Sequence, residues 1–435
     1  MSREMKYSGT DWIGEIPVQW ELAPTKRVFR GKKRIVGDEA DNYERLALTL
    51  NGVVKRTKDD NEGLQPEQFN NYQILEKNEL VFKLIDLQNI RTSRVGLSPY
   101  TGIVSPAYII LSNSETDNRF YYYWFMDMYN RCIFNQMGDD GVRSALNIKD
   151  VLEIPLPLIS ESTRIKIASF LDRKCAEIDE MIALQEKIVE ELKAYKQSVI
   201  TEAVTKGLNP DAPMKDSGIE WIGEIPEHWE VHPFKAFYKT TKGLNITKDN
   251  LVESGIPVIS YGQIHSKQNT GTSVSEELIR YVPADYIDSN PECLSKKYDI
   301  FFADTSEDRE GAGNIALIDV EMPIFAGYHT IMAHPSDRVK SKYIAYLIKT
   351  DAWRCQLRCK VQGVKLFSIS QKFVNQTSII VPPISEQIQI SEYLDTKCTE
   401  IDNLISIKLS KIDSLKEYKK SIIYEYVTGK KEVIL

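Results

Sequence analysis

The sequence of 435 residues lacks a long hydrophobic stretch: no run of about eighteen apolar residues occurs, so no transmembrane helix is predicted. It is also poor in cysteine, and six scattered thiols favour a reducing compartment over a disulfide framework. Cys355 and Cys359 are four residues apart with no histidine close in sequence, which is not the spacing of a zinc site. Because the polar N-terminus is unlike a signal peptide, we expect a cytoplasmic protein.

Motifs for catalysis and cofactor binding are absent as well. There is no phosphate-binding loop of the form Gly-x4-Gly-Lys-Ser/Thr, and Gly311-Ala312-Gly313 is not followed by the further glycine of a dinucleotide-binding loop. The Asn-Pro pairs at Asn209 and Asn290 lack the second proline and the aromatic residue of an adenine-methyltransferase tetrad. No convincing carboxylate–lysine cluster of a nuclease stands out. The sequence therefore predicts no catalytic residue, no metal and no cofactor in this chain.

The average charge argues against nucleic-acid binding, since the net charge is −7 and the pI is about 5.6. The sign of the charge is unevenly distributed, however. Six cations and no acid lie between Leu22 and Gly37, and Arg91 and Arg94 follow a predicted strand. Lysine and arginine neutralise phosphates, and arginine reads guanine edges, although any single cation is as often only a solvated side chain.

What the sequence does contain is an internal repeat. The segment Leu171–Asp179 (LDRKCAEID) returns as Leu394–Asp402 (LDTKCTEID), 223 residues later, with seven of nine positions identical. A second pair, Trp12–Pro17 and Trp221–Pro226, is identical over all six residues, WIGEIP, and we call these the anchor segments. The order anchor, variable region, helix thus occurs twice. The predicted divisions are 1–153 and 211–379 for the anchors with their variable regions, and 154–210 and 380–435 for the helical parts.

The two copies of the LDxKxxEID segment begin long helices. Heptads written from Cys175 and Cys398 give an apolar seam with a period of 3.5 residues, interrupted by polar residues at equivalent places. From Cys175 to Lys206 such a helix would be roughly 45–50 Å long. Two separate core helices are the alternative to a packed antiparallel pair. The residues predicted to pack between the helices are Ile178, Ile182, Val189, Leu192, Val199, Ile401, Ile405, Ile412, Leu415 and Ile422.

The two variable regions differ in sequence but follow one plan. Each has a buried strand before a polar loop, a second apolar run, an aromatic helix, a small loop and a strand containing proline, after which Ser160 or Ser385 is predicted to cap the long helix. The predicted helices are Asn118–Phe134 and Ser341–Val361, and the loops are 141–143 and 363–365.

Cations and small polar residues in the loops of this plan are the candidate contacts with nucleic acid. They are Lys32, Lys33, Arg34, Arg91, Ser93, Arg94, Arg143, Lys239, Lys242, Thr305, Arg309 and Lys365. His329 is either catalytic or structural, and the acids of 304–308 either accept from cytosine amino groups or face solvent. The sequence leaves both questions open.

With WIGEIP in both anchors, the IPLP and VPP strands and the two LDxKxxEID helices, nearly the whole chain resembles the specificity subunit of type I restriction–modification systems. The resemblance implies an α+β protein with two α/β target-recognition domains, separated by a pair of long antiparallel coiled-coil helices, in an internal pseudo-twofold repeat. Each domain is expected to read one half of a split DNA target, with the helices as spacer.

The resemblance also implies partners. These are double-stranded DNA, two methylation subunits that bind S-adenosylmethionine and, through them, restriction subunits that use ATP. Neither cofactor is expected on this chain. Two alternatives remain: a stand-alone DNA methyltransferase or nuclease, against which the missing motifs argue, and an assembly protein that does not bind DNA.

Overall fold

The computed structural model describes residues 3–56, 69–85, 87, 94–113, 115–137, 145–361 and 366–433. The described residues mix strands and helices, as the predicted α+β class requires. The chain forms two compact units, unit 1 with residues 1–186 and 409–435, and unit 2 with residues 187–408. Their boundaries fall inside the two long helices, so each unit contains the start of one long helix and the end of the other.

Unit 1 is built from short strands, three short α-helices and the start of a long one. Its strands are β1 (Met5–Tyr7), β2 (Glu15–Pro17), β3 (Glu21–Pro24), β4 (Arg30–Lys32), β5 (Arg45–Thr49), β6 (Gly52–Arg56), β7 (Gln73–Leu75), β8 (Leu80–Lys83), β9 (Arg94–Leu97), β10 (Gly102–Val104), β11 (Ile109–Ser112) and β12 (Pro155–Leu158). Its helices are α1 (Arg119–Asn130), α2 (Ile133–Met137), α3 (Ile148–Glu153) and the beginning of α4 (Glu161–Lys206), with 3-10 turns at Thr25–Arg27 and Gly37–Asn42.

Unit 2 repeats this composition. Its strands are β13 (Met214–Asp216), β14 (Glu224–Pro226), β15 (Glu230–Pro233), β16 (Tyr238–Lys242), β17 (Ile256–Ile259), β18 (Arg280–Val282), β19 (Ile300–Ala303), β20 (Thr305–Ser306), β21 (Ile315–Leu317), β22 (Phe325–Ala326), β23 (Thr330–Pro335), β24 (Phe367–Ser368) and β25 (Ser378–Val381). Its helices are α5 (Tyr261–Ile264), α6 (Tyr286–Ser289), α7 (Ser341–Lys349), α8 (Asp351–Arg358), α9 (Gln371–Asn375) and the beginning of α10 (Ile384–Val427), with 3-10 turns at Phe234–Ala236, Lys248–Asn250, Glu276–Leu278 and Pro291–Cys293.

The strand order of the main sheets is the same in the two units. In unit 1 one sheet runs β4-β11-β8-β9, and in unit 2 its counterpart runs β16-β23-β19-β21. A second sheet runs β6-β5-β10-β7 in unit 1 and β18-β17-β22 in unit 2, where a bridge from Leu294 to Phe325 takes the place of the last strand. In both second sheets the central pair is parallel, β5 with β10 and β17 with β22. The repeat in sequence is therefore a repeat of topology.

Buried aromatic residues explain why the helix after the sheet packs as it does. In unit 1, α1 carries the run FYYYWF, and its Trp124 is 1% exposed and lies 5.6 Å from the ring of Trp12. Phe82 of β8 meets Phe125 edge-to-face at 5.0 Å, so the sheet and α1 share one core.

Each anchor segment packs at the end of a long helix. In unit 1, Trp20 is 2% exposed, and a Cβ on Gly429, just after α10, would come within 2.6 Å of Pro17. In unit 2, Gly207, just after α4, lies against Trp229 in the same way. Both glycines have positive φ, which ends a helix without strain and lets the anchor approach.

Helix α4 is longer than the roughly 45–50 Å calculated from Cys175 to Lys206. It has 46 residues, which corresponds to about 69 Å, because it begins at Glu161, directly after the predicted cap. Ser160 caps it, as predicted, by accepting from the backbone N–H of Thr163 at 3.3 Å. The expected cap at Ser385 is wrong: α10 begins at Ile384, so this serine lies in the first turn.

Within each unit the two long helices touch. In unit 1, Lys419 of α10 bonds Asp179 of α4 at 2.7 Å, and Tyr426 packs on Phe170 at 4.3 Å, which is an antiparallel arrangement. In unit 2, Lys196 of α4 bonds Asp402 of α10 at 2.6 Å. None of the ten predicted seam residues is exposed. The polar interruptions of the seam are thus partly ion pairs between the helices.

Two further predictions need correction. The helix expected over 118–134 is two helices, because Cys132 adopts a positive φ of 56° between α1 and α2. The helix expected over 341–361 breaks at Thr350, whose hydroxyl accepts from the N–H of Trp353 and so starts α8. Several strands, β5, β6, β17 and β18 among them, lie outside the runs that the sequence predicts to be strands.

Candidate nucleic-acid interface

The basic run before Gly37 in unit 1 is partly neutralised by the fold. Lys32 Nζ lies 2.8 Å from Glu76 Oε2 and 2.8 Å from Glu79 Oε1, and Arg34 lies 3.3 Å from Glu76. Partial burial lowers the pKa of Lys32, but the bonds to the two glutamates outweigh it and raise the pKa above its usual value. Lys33 is exposed and has no ion-pair partner in the described part of the chain. Lys33 is thus available to bind a phosphate, whereas Lys32 joins β4 to the turn that precedes β8.

Both units have a buried acid directly before the third strand of the main sheet, β8 in unit 1 and β19 in unit 2, which we call the central strand. Glu79, 4% exposed, accepts from the N–H of Glu76 at 2.7 Å, and Asp299, 1% exposed, accepts from the N–H of Lys296 at 2.7 Å. Lys32 pairs with the first acid, and His334 pairs with the second at 3.0 Å. In the sequence, each of these acids directly precedes an apolar strand, and this pattern would have predicted the buried acid.

These acids align the two units residue by residue. With Glu79 aligned on Asp299, the residue pairs can be followed from the central strand through β11 or β23 to the edge strand. Arg30 of β4 is then equivalent to Lys239 of β16, and Lys33 is equivalent to Lys242. All four side chains belong to exposed residues. The edge strand of each main sheet therefore presents cations at the same two positions.

Lys239 lies at an open groove in unit 2 with a volume of about 1200 Å³. Two further exposed lysines, Lys296 and Lys340, line the groove, and acids such as Asp337 lie among them. The groove is mixed in charge, and its lysines extend the cationic edge of β16.

The loop after the central strand carries the next group of candidates. Arg94 is the first residue of β9 and lies opposite Lys83 of β8, at the end of that hairpin. Four candidates fall outside the described residues: Arg91, Ser93, Arg143 and Lys365.

In unit 2 the equivalent loop, between β19 and β21, is held by arginine. Arg309 donates from Nε and Nη2 to the carbonyl oxygen of Arg358, at 3.1 and 3.0 Å, where α8 ends. Burial, reinforced by the neighbouring Arg358, lowers the pKa of Arg354 to about 10. Three guanidinium groups thus lie at this end of unit 2.

Thr305 is fixed by a chain of hydrogen bonds. Its carbonyl oxygen accepts from His265 Nε2 at 2.8 Å, and His265 Nδ1 accepts from Asn314 Nδ2 at 2.8 Å. Asn314 Oδ1 in turn accepts from Arg354 at 2.6 Å. The Thr305 hydroxyl donates to Asp304 at 2.8 Å. This network ties the loop to His265 and Arg354, and sequence reasoning missed it because its members are distant in the chain.

The structure brings His329 and Asp304 together. His329 Nδ1 lies 3.1 Å from Asp304 Oδ1, and the histidine side chain is 57% exposed. The rings of Tyr261 and Tyr328 lie 5.4 and 6.2 Å from the imidazole. The described residues contain no group of three or more His, Cys, Asp or Glu side chains suited to a metal ion. Among the described helices, none has the length and apolar character needed to cross a membrane.

The cysteines of the described residues are free thiols. Cys175 and Cys398 are buried in the helix seam, and burial raises the pKa of Cys175 to about 11. A thiol that stays protonated in this way is a packing residue.

Comparison with known proteins agrees with this geometry. Residues 226–428 match the family described as the type I restriction modification DNA specificity domain. The MjaVIII specificity subunit of a type I restriction enzyme from Methanocaldococcus jannaschii is 25% identical over 283 residues, which cover 64% of this chain and 62% of that protein. The EcoKI specificity subunit of Escherichia coli is 22% identical over 48% of this chain and 44% of that protein. The matches span less than two thirds of these relatives.

Solved structures share the fold over almost the entire chain. A chain from a structural study of assembly and conformational transition in a type I R-M system has a TM-score of 0.69, with 14% identity, 95% of this chain covered and 98% of that chain. The HsdS subunit of Thermoanaerobacter tengcongensis has a TM-score of 0.51 with the same identity and coverage. The predicted resemblance is confirmed: residues 226–428 match the type I restriction modification DNA specificity domain, about two thirds of the chain is similar in sequence to a specificity subunit of a type I restriction enzyme, and nearly the whole chain shares its fold with an HsdS subunit.

Proposed function

We propose that this protein is the DNA specificity subunit of a type I restriction–modification complex, and that each unit reads one half of a bipartite target. The observation that carries the proposal is the shared strand order of the two units, one of which contains most of the residues matched by the DNA specificity family. Two modules of one topology with different loops suit two different half-sites.

The DNA contacts in this proposal come from the edge strands and from the loops after the central strands. Exposed cations at equivalent positions, Arg30 with Lys239 and Lys33 with Lys242, would neutralise phosphates in both half-sites. Arg94 at the start of β9 and the loop that contains Arg309 lie in segments of different sequence and would supply base contacts. Neither unit would catalyse a reaction.

The paired long helices would act as the spacer between half-sites, as an antiparallel coiled coil with pseudo-twofold symmetry. Support comes from the two interhelix ion pairs, because Asp402 and Lys419 stand 223 residues after Asp179 and Lys196. Each ion pair joins the aspartate of one copy to the lysine of the other. Such an exchange is what twofold packing of equivalent helices produces.

The helices would also bind two methylation subunits. Large apolar residues that remain exposed on α4 recur at equivalent positions on α10, which is unusual for a free surface. The equivalent pairs are Ile165 with Ile388, Met181 with Leu404, Leu184 with Ile407, and Tyr195 with Tyr418. Two equivalent apolar patches suit two copies of one partner. S-adenosylmethionine would bind to these partners and ATP to restriction subunits attached through them, in the cytoplasm.

An assembly protein without DNA contacts is the second candidate, because the same apolar patches would serve it equally. The test is sequence-resolved mapping of DNA methylation in cells that produce this chain with its methylation subunits. We expect methylation at a single bipartite sequence that disappears when this chain is omitted. Methylation without sequence preference, or methyl transfer by the isolated chain, would contradict the proposal.

A further inference from the structure

We infer that His329, oriented by Asp304, is a base-reading residue of unit 2, and that it accepts a hydrogen bond from the exocyclic amino group of cytosine or adenine. The inference rests on the proposed function and assigns a role to two residues that the sequence left open. Three observations carry the inference: the geometry of the His329–Asp304 pair, the backbone that holds the pair, and the absence of such a pair at the equivalent positions of unit 1.

Asp304 determines which nitrogen of the imidazole is free. Asp304 Oδ1 lies 3.1 Å from His329 Nδ1 and also accepts from the Thr305 hydroxyl at 2.8 Å. A carboxylate at Nδ1 keeps the proton on that nitrogen, so that Nε2 of the neutral ring is an acceptor. Among base edges in the major groove, an acceptor selects the amino group of cytosine or adenine.

The backbone of His329 is held in a conformation that most residues avoid. Its φ is +55°, in the left-handed region, where a side chain is strained unless its surroundings fix it. Its carbonyl accepts from the N–H of Asp304 at 3.0 Å, and the Thr330 hydroxyl donates to the carbonyl of Gly327 at 2.6 Å. A Cβ on Gly327 would come within 2.1 Å of Ser260 Oγ, so the turn is pressed closely against the neighbouring strand.

Aromatic rings fix the imidazole from the side. Tyr261 meets His329 edge-to-face at 5.4 Å and meets Tyr328 at 5.6 Å. The N–H of Tyr261 donates to the carbonyl of Tyr328 at 3.3 Å, which ties this ring to the same turn. The imidazole is therefore positioned in advance while more than half of the side chain faces solvent.

A purely structural role does not explain this arrangement. A single hydrogen bond between exposed side chains stabilises a fold little, so the contact with Asp304 does not offset the strained backbone of His329. In unit 1 the equivalent positions, found by counting along the paired strands, are Leu84 and Ala107. The topology is thus built without the pair, and the pair distinguishes the half-site of unit 2 from that of unit 1.

The experiment uses the complete complex with its methylation subunits, at pH 8, on a DNA library in which every position of the target is randomised in turn. The variants are His329→Ala and His329→Gly, the second because glycine adopts a positive φ without strain and retains the turn. His232→Ala is the matched control, since His232 pairs with Glu230 at 2.7 Å in the same unit but outside this turn.

We expect both His329 variants to lose about tenfold or more discrimination at one amino-bearing base of the unit 2 half-site. The other half-site and the His232→Ala complex should keep their selectivity. Asp304→Asn, whose amide donates to Nδ1 and leaves a proton on Nε2, should shift the preference at that base toward a carbonyl group. Unchanged selectivity in His329→Gly, in a complex whose unaltered form selects its target, overturns this inference alone. If the unaltered complex selects no sequence, the proposed function fails.

Discussion

Lys419 Nζ lies 2.7 Å from Asp179 Oδ1, joining the two long helices within unit 1. The equivalent lysine and aspartate, Lys196 and Asp402, form the same bond at 2.6 Å in unit 2. Both lysines interrupt an apolar seam, and both aspartates close the repeated LDxKxxEID segment. The aspartates are 57% and 53% exposed, so we expect these bonds to select the register of the helices more than to stabilise them.

Removing this ion pair should therefore change stability little. Lys419→Ala is expected to lower the free energy of unfolding by less than about 1 kcal/mol, measured by urea denaturation at low and high salt. Ile422→Ala, at a seam residue that is 4% exposed, should cost about 2–4 kcal/mol, because it leaves a cavity. Equal losses for the two variants would mean that the seam is not what holds the helices together.

Lys33, just after β4, should bind DNA, whereas its neighbour Lys32 should stabilise the fold. Lys33→Ala is expected to weaken DNA binding by the complex and to reduce the slope of log affinity against log salt by about 1, because one phosphate contact disappears. Its thermal stability should be unchanged. The measurement is fluorescence anisotropy with target and non-target duplexes over a range of salt concentrations.

Lys32→Ala should instead destabilise unit 1. The substitution leaves the Glu79 carboxylate, 5% exposed, without its cation, at a cost of about 1–3 kcal/mol. The double variant with Glu79→Gln should recover part of this loss. If Lys32→Ala behaves like Lys33→Ala, with an altered salt slope and normal stability, then Lys32 is a phosphate contact after all.

Asp127 should make stability depend on pH. The side chain is 2% exposed, and burial, opposed by Arg131, raises its pKa to about 6. Between the unfolded value of about 4 and this folded value the folded state binds more protons, so the free energy of unfolding falls as pH rises through this window. In Asp127→Asn the free energy of unfolding, measured by urea denaturation from pH 4.5 to 7, should depend less on pH. The change across this range should be smaller by about 1–3 kcal/mol. An unchanged slope in the variant would assign the dependence to another group.

The apolar patches on the helices should each bind one methylation subunit. Leu184→Glu and Ile407→Glu, at residues 56% and 62% exposed, should each reduce the complex to one such subunit, and the double variant should bind none. The stoichiometry is measured by light scattering after gel filtration. Lys187→Glu, an equally drastic charge change at a residue 73% exposed on α4, is the control and should retain two. Normal stoichiometry in the double variant would place the docking surface elsewhere.

Local patterns were enough to predict much of this protein. The repeat, the anchors, the long helices and their seam follow from periodicity and identity between nearby residues, because a helix of this length is specified by contacts three and four positions apart. Helix ends were less predictable: the break at Cys132 depends on one residue with positive φ, and α10 begins at Ile384, one residue before its predicted cap.

What only the tertiary structure decided is which charges are free. Lys32 and Lys33 are adjacent and chemically identical, yet Glu79, 47 residues away, neutralises the first and leaves the second exposed. Likewise Asp304 meets His329 across 25 residues, because two strands of one sheet end side by side. Sequence alone determined the elements and their repetition, whereas partners distant in the chain determined the chemistry of each side chain, since only folding sets the distances on which charge and hydrogen bonding depend.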